Sequence, residues 1–235
     1  MNLQKKVIVI TGAGSGIGKE IALRLSKEKA KLALISLHEE KLNEVAKECK
    51  DYGAVDVKIY AVDITDTSKL EDTAFNILSD FKHVDVLINN AGVWQKLQPF
   101  YEIDSKTINR VINTNLSALI HMTRLFIDTL MDRDEAAIIN ISSKSGVTVQ
   151  PGQSVYSASK YGVRGFTDVL RVDLKDTNVR VTGIYQGGTN TKLFEKAGEN
   201  IITDNFINPS DLADVVAYIL KQPPNIWIND IRIDY

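Results

Sequence analysis

Cysteine is nearly absent from this chain. The single Cys49 excludes an intrachain disulfide and any multi-cysteine metal centre. It falls in a helix-like stretch and reads as a packed thiol rather than a reactive one. Histidine is scarce as well, and His38, His83 and His121 are scattered without metal-ligand spacing. No apolar run approaches the ~20 residues needed to span a bilayer. Neither sign of charge prevails: 28 Lys and Arg stand against 30 Asp and Glu, a net charge of −2. That balance provides no electrostatic case for nucleic acid or an anionic membrane. There is no Pro-, Gly- or Ser-rich linker, no low-complexity tract and no internal repeat. Residues 1–6 lead directly into an apolar run, which leaves no room for a secretory leader and predicts a cytoplasmic protein.

What is present is a regular alternation. Short Val- and Ile-rich runs lie at residues 7–10, 32–35, 57–62, 86–88, 137–141, 179–184 and 226–233. Most are bounded by polar residues or Gly, as buried parallel strands are. Longer stretches with helical apolar spacing lie between them, at residues 17–25, 42–49, 70–78, 108–130, 156–174 and 212–220. The last follows Pro209 and Ser210, with Ser210 as the expected helix cap. Strand–helix alternation along the whole chain predicts an α/β fold: one doubly wound, Rossmann-type domain over residues 1–235, with a parallel sheet of about seven strands. Such sheets bind ligands at the carboxyl ends of their strands, near the point where strand order reverses.

The turn after the first strand reads Thr11, Gly12, Ala13, Gly14, Ser15, Gly16, Ile17, Gly18. Glycines let a backbone approach a phosphate closely, and a helix N-terminus offers free amides to it. The spacing is not the usual G-x-G-x-x-G, because Ile17 falls where the third glycine would be. A turn of this kind is either a nucleotide cradle or merely rich in glycine. At the end of the second strand stand Ser36, Leu37 and His38, where an acidic residue would hold the ribose hydroxyls of NAD. No carboxylate is there to repel a further phosphate, Ser36 can donate to one and His38 can assist, so the reading leans towards NADP over NAD although no Arg is there to bind it.

Tyr156 and Lys160 are four residues apart on a helical stretch, on one face and about a turn apart. A nearby ammonium favours the phenolate and is expected to lower the Tyr pKa. Alone, that spacing arises often by chance in helices. Upstream, the strand at residues 138–141 ends in Ser142 and Ser143, whose hydroxyls could face the Tyr and a substrate carbonyl. The strand at 86–88 runs into Asn89, Asn90, Ala91 and Gly92, small enough to pass close to a cofactor.

Together these pieces identify the sequence as resembling the short-chain dehydrogenase/reductase family, over essentially the whole chain. The matching segments are TGAGSGIG at 11–18, VDIT at 62–65, NNAG at 89–92, Asn115 within INTNLSAL, NISS at 140–143, YSASK at 156–160 and GGTNT at 187–191. The resemblance implies an NAD(P)-dependent enzyme acting on a carbonyl or alcohol. Tyr156 is then the general acid or base, Lys160 holds the nicotinamide ribose and lowers the Tyr pKa, and Ser143 polarises the carbonyl. Ser143 is taken over Ser142 from its spacing to Tyr156. Asn115 kinks its helix and holds a water that relays protons to Lys160. The stretch from Thr11 to Gly18 cradles the phosphates. Asp63 and Ile64 meet the adenine, and Asn90, Ala91 and Gly92 the adenosine side. Gly187, Thr189 and Thr191 border the cofactor, Thr191 at the carboxamide. No metal is implied.

One departure stands out: Gln186 precedes Gly187 where the family often has Pro, which is expected to loosen that turn. Residues 188–208 form the expected substrate lid, with Lys192, Glu195, Lys196 and Glu199 read mostly as solvated charges around Leu193 and Phe194. Trp94, Val149, Gln150 and Tyr185 are the expected walls of the pocket. The short C-terminal tail resembles family members that act on small alcohols and hydroxy acids. The faces of the helices at 108–130 and 156–174 are those the family uses to form homodimers or homotetramers. A cofactor-binding regulatory module on the same fold is the alternative, and it is disfavoured because all four catalytic positions are filled. Epimerases and dehydratases usually carry longer substrate domains, and enoyl reductases space their Tyr and Lys further apart.

Overall fold

The computed structural model describes residues 1–234, so Tyr235, at the end of the predicted tail, lies outside the described residues. The strands are β1 (Val7–Thr11), β2 (Lys31–Ser36), β3 (Asp56–Ala61), β4 (Val86–Asn89), β5 (Ala136–Ile141), β6 (Val179–Gln186) and β7 (Asp230–Ile233). They form one sheet in the order β3-β2-β1-β4-β5-β6-β7, every pair parallel. The expected doubly wound α/β architecture is therefore present. Strand order reverses between β1 and β4, which places a crevice above their carboxyl ends.

The helices are α1 (Gly16–Ser26), α2 (Glu39–Asp51), α3 (Thr67–Phe81), α4 (Ser105–Ile112), α5 (Ala118–Met131), α6 (Ser154–Asp173) and α7 (Pro209–Lys221). Both faces of the sheet are dry. Ile8, Ile10, Leu32 and Leu34 point into a core closed by α1, α2 and α7. Val7, Val9, Leu87 and Ile138 point into a second core closed by α3, α5 and the end of α6. Burial on both faces explains why β1, β2, β4 and β5 read as nearly unbroken apolar runs rather than alternating ones. Each fully buried Ile or Leu here contributes about 1.5–3 kcal/mol of transfer free energy. At the amino edge of the sheet, buried Asp85 accepts from Val7 N–H at 2.9 Å, Lys6 Nζ at 3.1 Å and Arg133 Nε at 3.0 Å. This knot ties β1 to β4 on the side opposite the crevice.

Three expectations change. The apolar stretch at 108–130 is not one regular helix: α4 and α5 are joined by a wide π turn, Asn113–Ser117. Helix α7 starts one turn position earlier than expected, with Asn208 as its cap residue and Pro209 in its first turn, so Ser210 lies inside it. Strand β7 covers only Asp230–Ile233 of the predicted 226–233, because it pairs with the last four residues of β6 alone. Among the described residues, no helix is long and apolar enough to cross a membrane.

Candidate active site

The glycine turn leaves β1 and enters α1. Gly12 has φ +68°, a left-handed conformation that L side chains rarely adopt, and a Cβ there would lie 2.9 Å from the Ala91 backbone. At Gly18 a Cβ would lie 2.3 Å from the Gly12 carbonyl oxygen. Both positions need glycine for close packing of turn on helix. Ser15 occupies the cap position of α1 without its side chain capping the helix, so the first amides of α1 face outward and remain free for an anion. These features fit a phosphate-bearing ligand. Thr11 is a correction: it does not line the cradle. Its hydroxyl donates to Ile88 O at 3.4 Å and accepts from the Asn90 and Ala91 N–H groups at 3.0 and 3.1 Å. Asn90 returns the link by donating to Thr11 O at 2.9 Å. The pair staples the turns after β1 and β4 across the crevice.

At the end of β2, Ser36 lies under the turn, with its Oγ 3.0 Å from where a Gly14 Cβ would sit. Leu37 is exposed, and His38 precedes α2 without capping it. The Asp63 carboxylate accepts from the Thr65 amide and hydroxyl at 2.9 and 2.7 Å, shaping the turn after β3. Ile64 packs against the second core. Across the crevice, Thr191 sets its methyl 3.1 Å from the position of a Gly16 Cβ, Thr189 is buried and donates to Gly187 O at 3.3 Å, and the Gly187 amide donates to Ile233 O at 2.8 Å. Gln186 does not leave this turn loose: its Nε2 donates to Ser142 O at 3.4 Å. Its Oε1 is buried without a partner.

Helix α6 carries Tyr156 and Lys160 to the carboxyl edge, where both are buried. The two serines at the end of β5 point to opposite sides, as strand alternation requires. Ser142 donates to Lys160 O at 3.2 Å, whereas Ser143 hydrogen-bonds the Tyr156 hydroxyl. Lys160 Nζ donates to Ile141 O at 3.1 Å and lies 5.8 Å from the Tyr156 ring centroid. Burial pushes the Tyr156 pKa up to about 12, with the Ser143 hydrogen bond working against it. Burial likewise pulls Lys160 down to about 8. The expected lowering of the Tyr156 pKa is not seen: in a dry pocket both charged forms lose solvation, and for Tyr156 desolvation outweighs the Ser143 hydrogen bond.

Asn115 sits in the π turn and is 1% exposed. Its Oδ1 accepts from Val93 N–H at 2.8 Å, and its Nδ2 donates to Val93 O at 3.0 Å and to Ser159 Oγ at 3.1 Å. The side chain thus clamps the turn after β4 to α6. Replacing Asn115 with Ala strands the Val93 groups in a buried setting, and we expect a loss of about 2–3 kcal/mol in urea unfolding. A change below a few tenths of that contradicts the clamp.

One site residue carried no recognisable signal. Gln95, 1% exposed, accepts the Tyr156 amide at 2.9 Å and donates to Gly152 O at 2.9 Å, fixing the start of α6. A single Gln in a loop looks like any solvated polar residue. Trp94, expected as a wall, stacks edge-on against Tyr156 with centroids 4.5 Å apart and against Phe194 at 5.0 Å. Glu199 is not a solvated charge, because it accepts from Trp94 Nε1 at 2.6 Å and from Leu97 N–H at 2.7 Å. Lys196 reaches Ser15 Oγ at 3.3 Å. Gln150 accepts from Gln153 near the start of α6, and Val149 is exposed. Tyr185 is not a pocket wall: it is buried on the α6 side of β6, and its hydroxyl turns back along the strand towards Gly183.

Residues 6–201 match the family model described as short chain dehydrogenase. An uncharacterised oxidoreductase of Staphylococcus saprophyticus is 32% identical over 237 residues, which cover 99% of this chain and 98% of that protein. One from Staphylococcus epidermidis is 30% identical over 232 residues, 98% of this chain and 97% of that protein. Among solved structures, a metagenomic short-chain oxidoreductase in complex with NADP aligns with TM-score 0.88 at 29% identity, over 100% of this chain and 98% of its own. The 3-ketoacyl-(acyl-carrier-protein) reductase of Brucella melitensis, complexed with NADH, aligns with TM-score 0.88 at 28% identity, over 99% and 98%. By its sheet, its glycine turn, its clustered Ser, Tyr and Lys and these matches, the chain belongs to the short-chain dehydrogenase family.

Proposed function

We propose that this chain is an NAD(P)-dependent oxidoreductase that interconverts a small carbonyl compound and its alcohol. The observation that carries the reading is the convergence of Tyr156, Ser143 and Lys160 at the carboxyl edge of the sheet, beside a turn shaped for a phosphate. The nicotinamide, when bound, supplies or takes up the hydride. Gly12, Gly14, Ser15, Gly16, Ile17 and Gly18 would hold its phosphates, and Ser36, Leu37 and His38 its adenosine ribose. Asp63 and Ile64 would border the adenine, Asn90, Ala91 and Gly92 the adenosine side, and Gly187, Thr189 and Thr191 the carboxamide end. Lys160 would bind the nicotinamide ribose.

Tyr156 gives the proton of its Oη to the carbonyl oxygen as that oxygen gains charge, and takes it back when an alcohol is oxidised. Ser143 donates to the same oxygen and orients it. The raised Tyr156 pKa keeps the hydroxyl protonated for reduction, while Lys160, near neutrality, resupplies the proton. Both polar atoms of Asn115 are engaged by Val93 and Ser159, so a water relay to Lys160 rests on the main-chain oxygens of the widened turn.

The test is a panel of small ketones, hydroxy acids and alcohols with NADPH and NADH, following the absorbance of the reduced nicotinamide. Turnover on none of them, together with no nucleotide binding, overturns the reading. Because the two serines face opposite ways, Ser143→Ala is expected to lower kcat on the best substrate by about 10²–10³-fold and Ser142→Ala by less than about tenfold. Equal effects would mean that the strand presents the wrong hydroxyl. The exposed Val169 and Val172 on α6 and Ile120 on α5 supply apolar faces for a second copy, giving a homodimer or homotetramer. A monomeric mass by light scattering contradicts this.

A further inference from the structure

We infer that Lys196, in the segment after β6, joins Lys41, Lys192, Ser15 and Ser36 in a clamp for the 2′-phosphate of NADP(H), so that the lid segment is itself part of the cofactor site. The inference rests on the cofactor reading above and adds which nucleotide is read and by what.

The geometry draws three separate elements to one spot. Ser36 ends β2, where the adenosine ribose lies in folds of this kind. The Gly14 backbone packs on it: a Cβ on Gly14 would lie 3.0 Å from Ser36 Oγ and 3.4 Å from Lys41 Cβ on α2. From the opposite side of the crevice, Lys196 Nζ donates to Ser15 Oγ at 3.3 Å, bridging the segment after β6 to the first turn of α1. Ser15 has its side chain free for this because it does not cap α1. Lys41 and Lys192 both bear on Lys196 and, after desolvation, hold its ammonium below the usual range, with Glu195 alone opposing them.

Among the described residues, Lys41, Lys192 and Lys196, like most lysines of the chain, form no ion pair with a carboxylate, so their charges are open to a ligand. Lys41 and Lys192 repel the Lys196 ammonium with Glu195 alone opposing them, and a dianionic phosphate reverses the sign of that interaction. No carboxylate stands at Ser36, Leu37 or His38 to oppose it. The usual place to look for such a cation is beside β2, and here part of it comes from a segment more than 150 residues later in the chain.

The experiment is equilibrium binding by calorimetry of NADPH, NADH and adenosine 2′,5′-bisphosphate to the wild-type protein, Lys196→Gln and Lys41→Gln, at low and high salt. Loss of one charged contact to phosphate corresponds to a weakening on the order of tenfold to a hundredfold. The expected result is that this loss falls on NADPH and the bisphosphate, shrinks at high salt, and leaves NADH binding within about threefold. Ser36→Asp, which adds a carboxylate at the end of β2, should shift preference to NADH without touching the lid. Equal weakening of NADH and NADPH by Lys196→Gln overturns the clamp and assigns Lys196 to the shared pyrophosphate. Unchanged NADPH binding in both Lys variants overturns it outright. Absence of any nucleotide binding by the wild-type protein instead removes the cofactor reading on which the clamp rests.

Discussion

Replacing Tyr156 with Phe is expected to lower turnover by about three to four orders of magnitude while leaving nucleotide affinity within a few-fold. The substitution removes one oxygen and little else. The ring keeps its edge-on contact with Trp94 at 4.5 Å, its burial, and the backbone bond from its amide to Gln95. What disappears is the donor that protonates the carbonyl oxygen, a role worth about 10²–10⁴ in rate. The Ser143 hydroxyl also loses the partner that holds its orientation. Stability should scarcely fall, because the variant no longer buries a phenol hydroxyl whose deprotonation burial already opposes. The measurements are kcat on the best substrate of the panel, nucleotide affinity by titration, and the unfolding midpoint. Retention of more than about a tenth of wild-type kcat, with affinity and fold intact, moves the proton donor elsewhere.

The expected location of that chemistry came from residue patterns, and the match is instructive where it is uneven. Strands β1, β2, β4 and β5 carry nearly unbroken apolar runs because both faces of the sheet are covered there, so their signal survives in the sequence alone. The Tyr156–Lys160 pair is legible for a similar reason: its spacing is local and one helix fixes it. Ser143 against Ser142 is legible once one of them is assigned, since alternation decides the other. The π turn at Asn113–Ser117 was hidden, because the apolar pattern runs through it and its cause is a tertiary bond from Asn115 to Val93. The hydrogen bonds that join Thr11 and Asn90 across the crevice link residues 79 positions apart in sequence, and no local pattern announces them. An aromatic residue near a strand end, such as Tyr185, gives no sign in the sequence of which face it takes. Charged residues such as Glu199 and Lys196 usually face solvent, and only the folded segment shows what these two reach.

Lys160→Met separates the electrostatic cost of the site from its chemistry. In the folded protein burial pulls the Lys160 pKa from 10.5 to about 8, so below pH ~8 the protein holds a charged ammonium in a site that disfavours charge. Between about pH 8 and 10.5 the unfolded chain still binds the proton that the folded one has released, and stability therefore rises with pH through that window. The shift corresponds to roughly 3–4 kcal/mol. Methionine keeps most of the volume and has no charge to desolvate, although it forfeits the bond to Ile141 O. The variant should thus be more stable than wild type near pH 7 by about 1–3 kcal/mol, with the gap closing towards pH 10. Tyr156 acts in the opposite direction above pH ~10, where the unfolded chain loses its proton first, but it is present in both proteins and cancels from the difference. Turnover should meanwhile fall by at least about 10²-fold, because the proton supply to Tyr156 and the contact to the nicotinamide ribose go together. Urea unfolding of both proteins at several pH values decides it. A stability gap that stays flat with pH, or one that widens as pH rises, means that Lys160 is not held charged against its burial, and the proton-relay role assigned to it fails with that result.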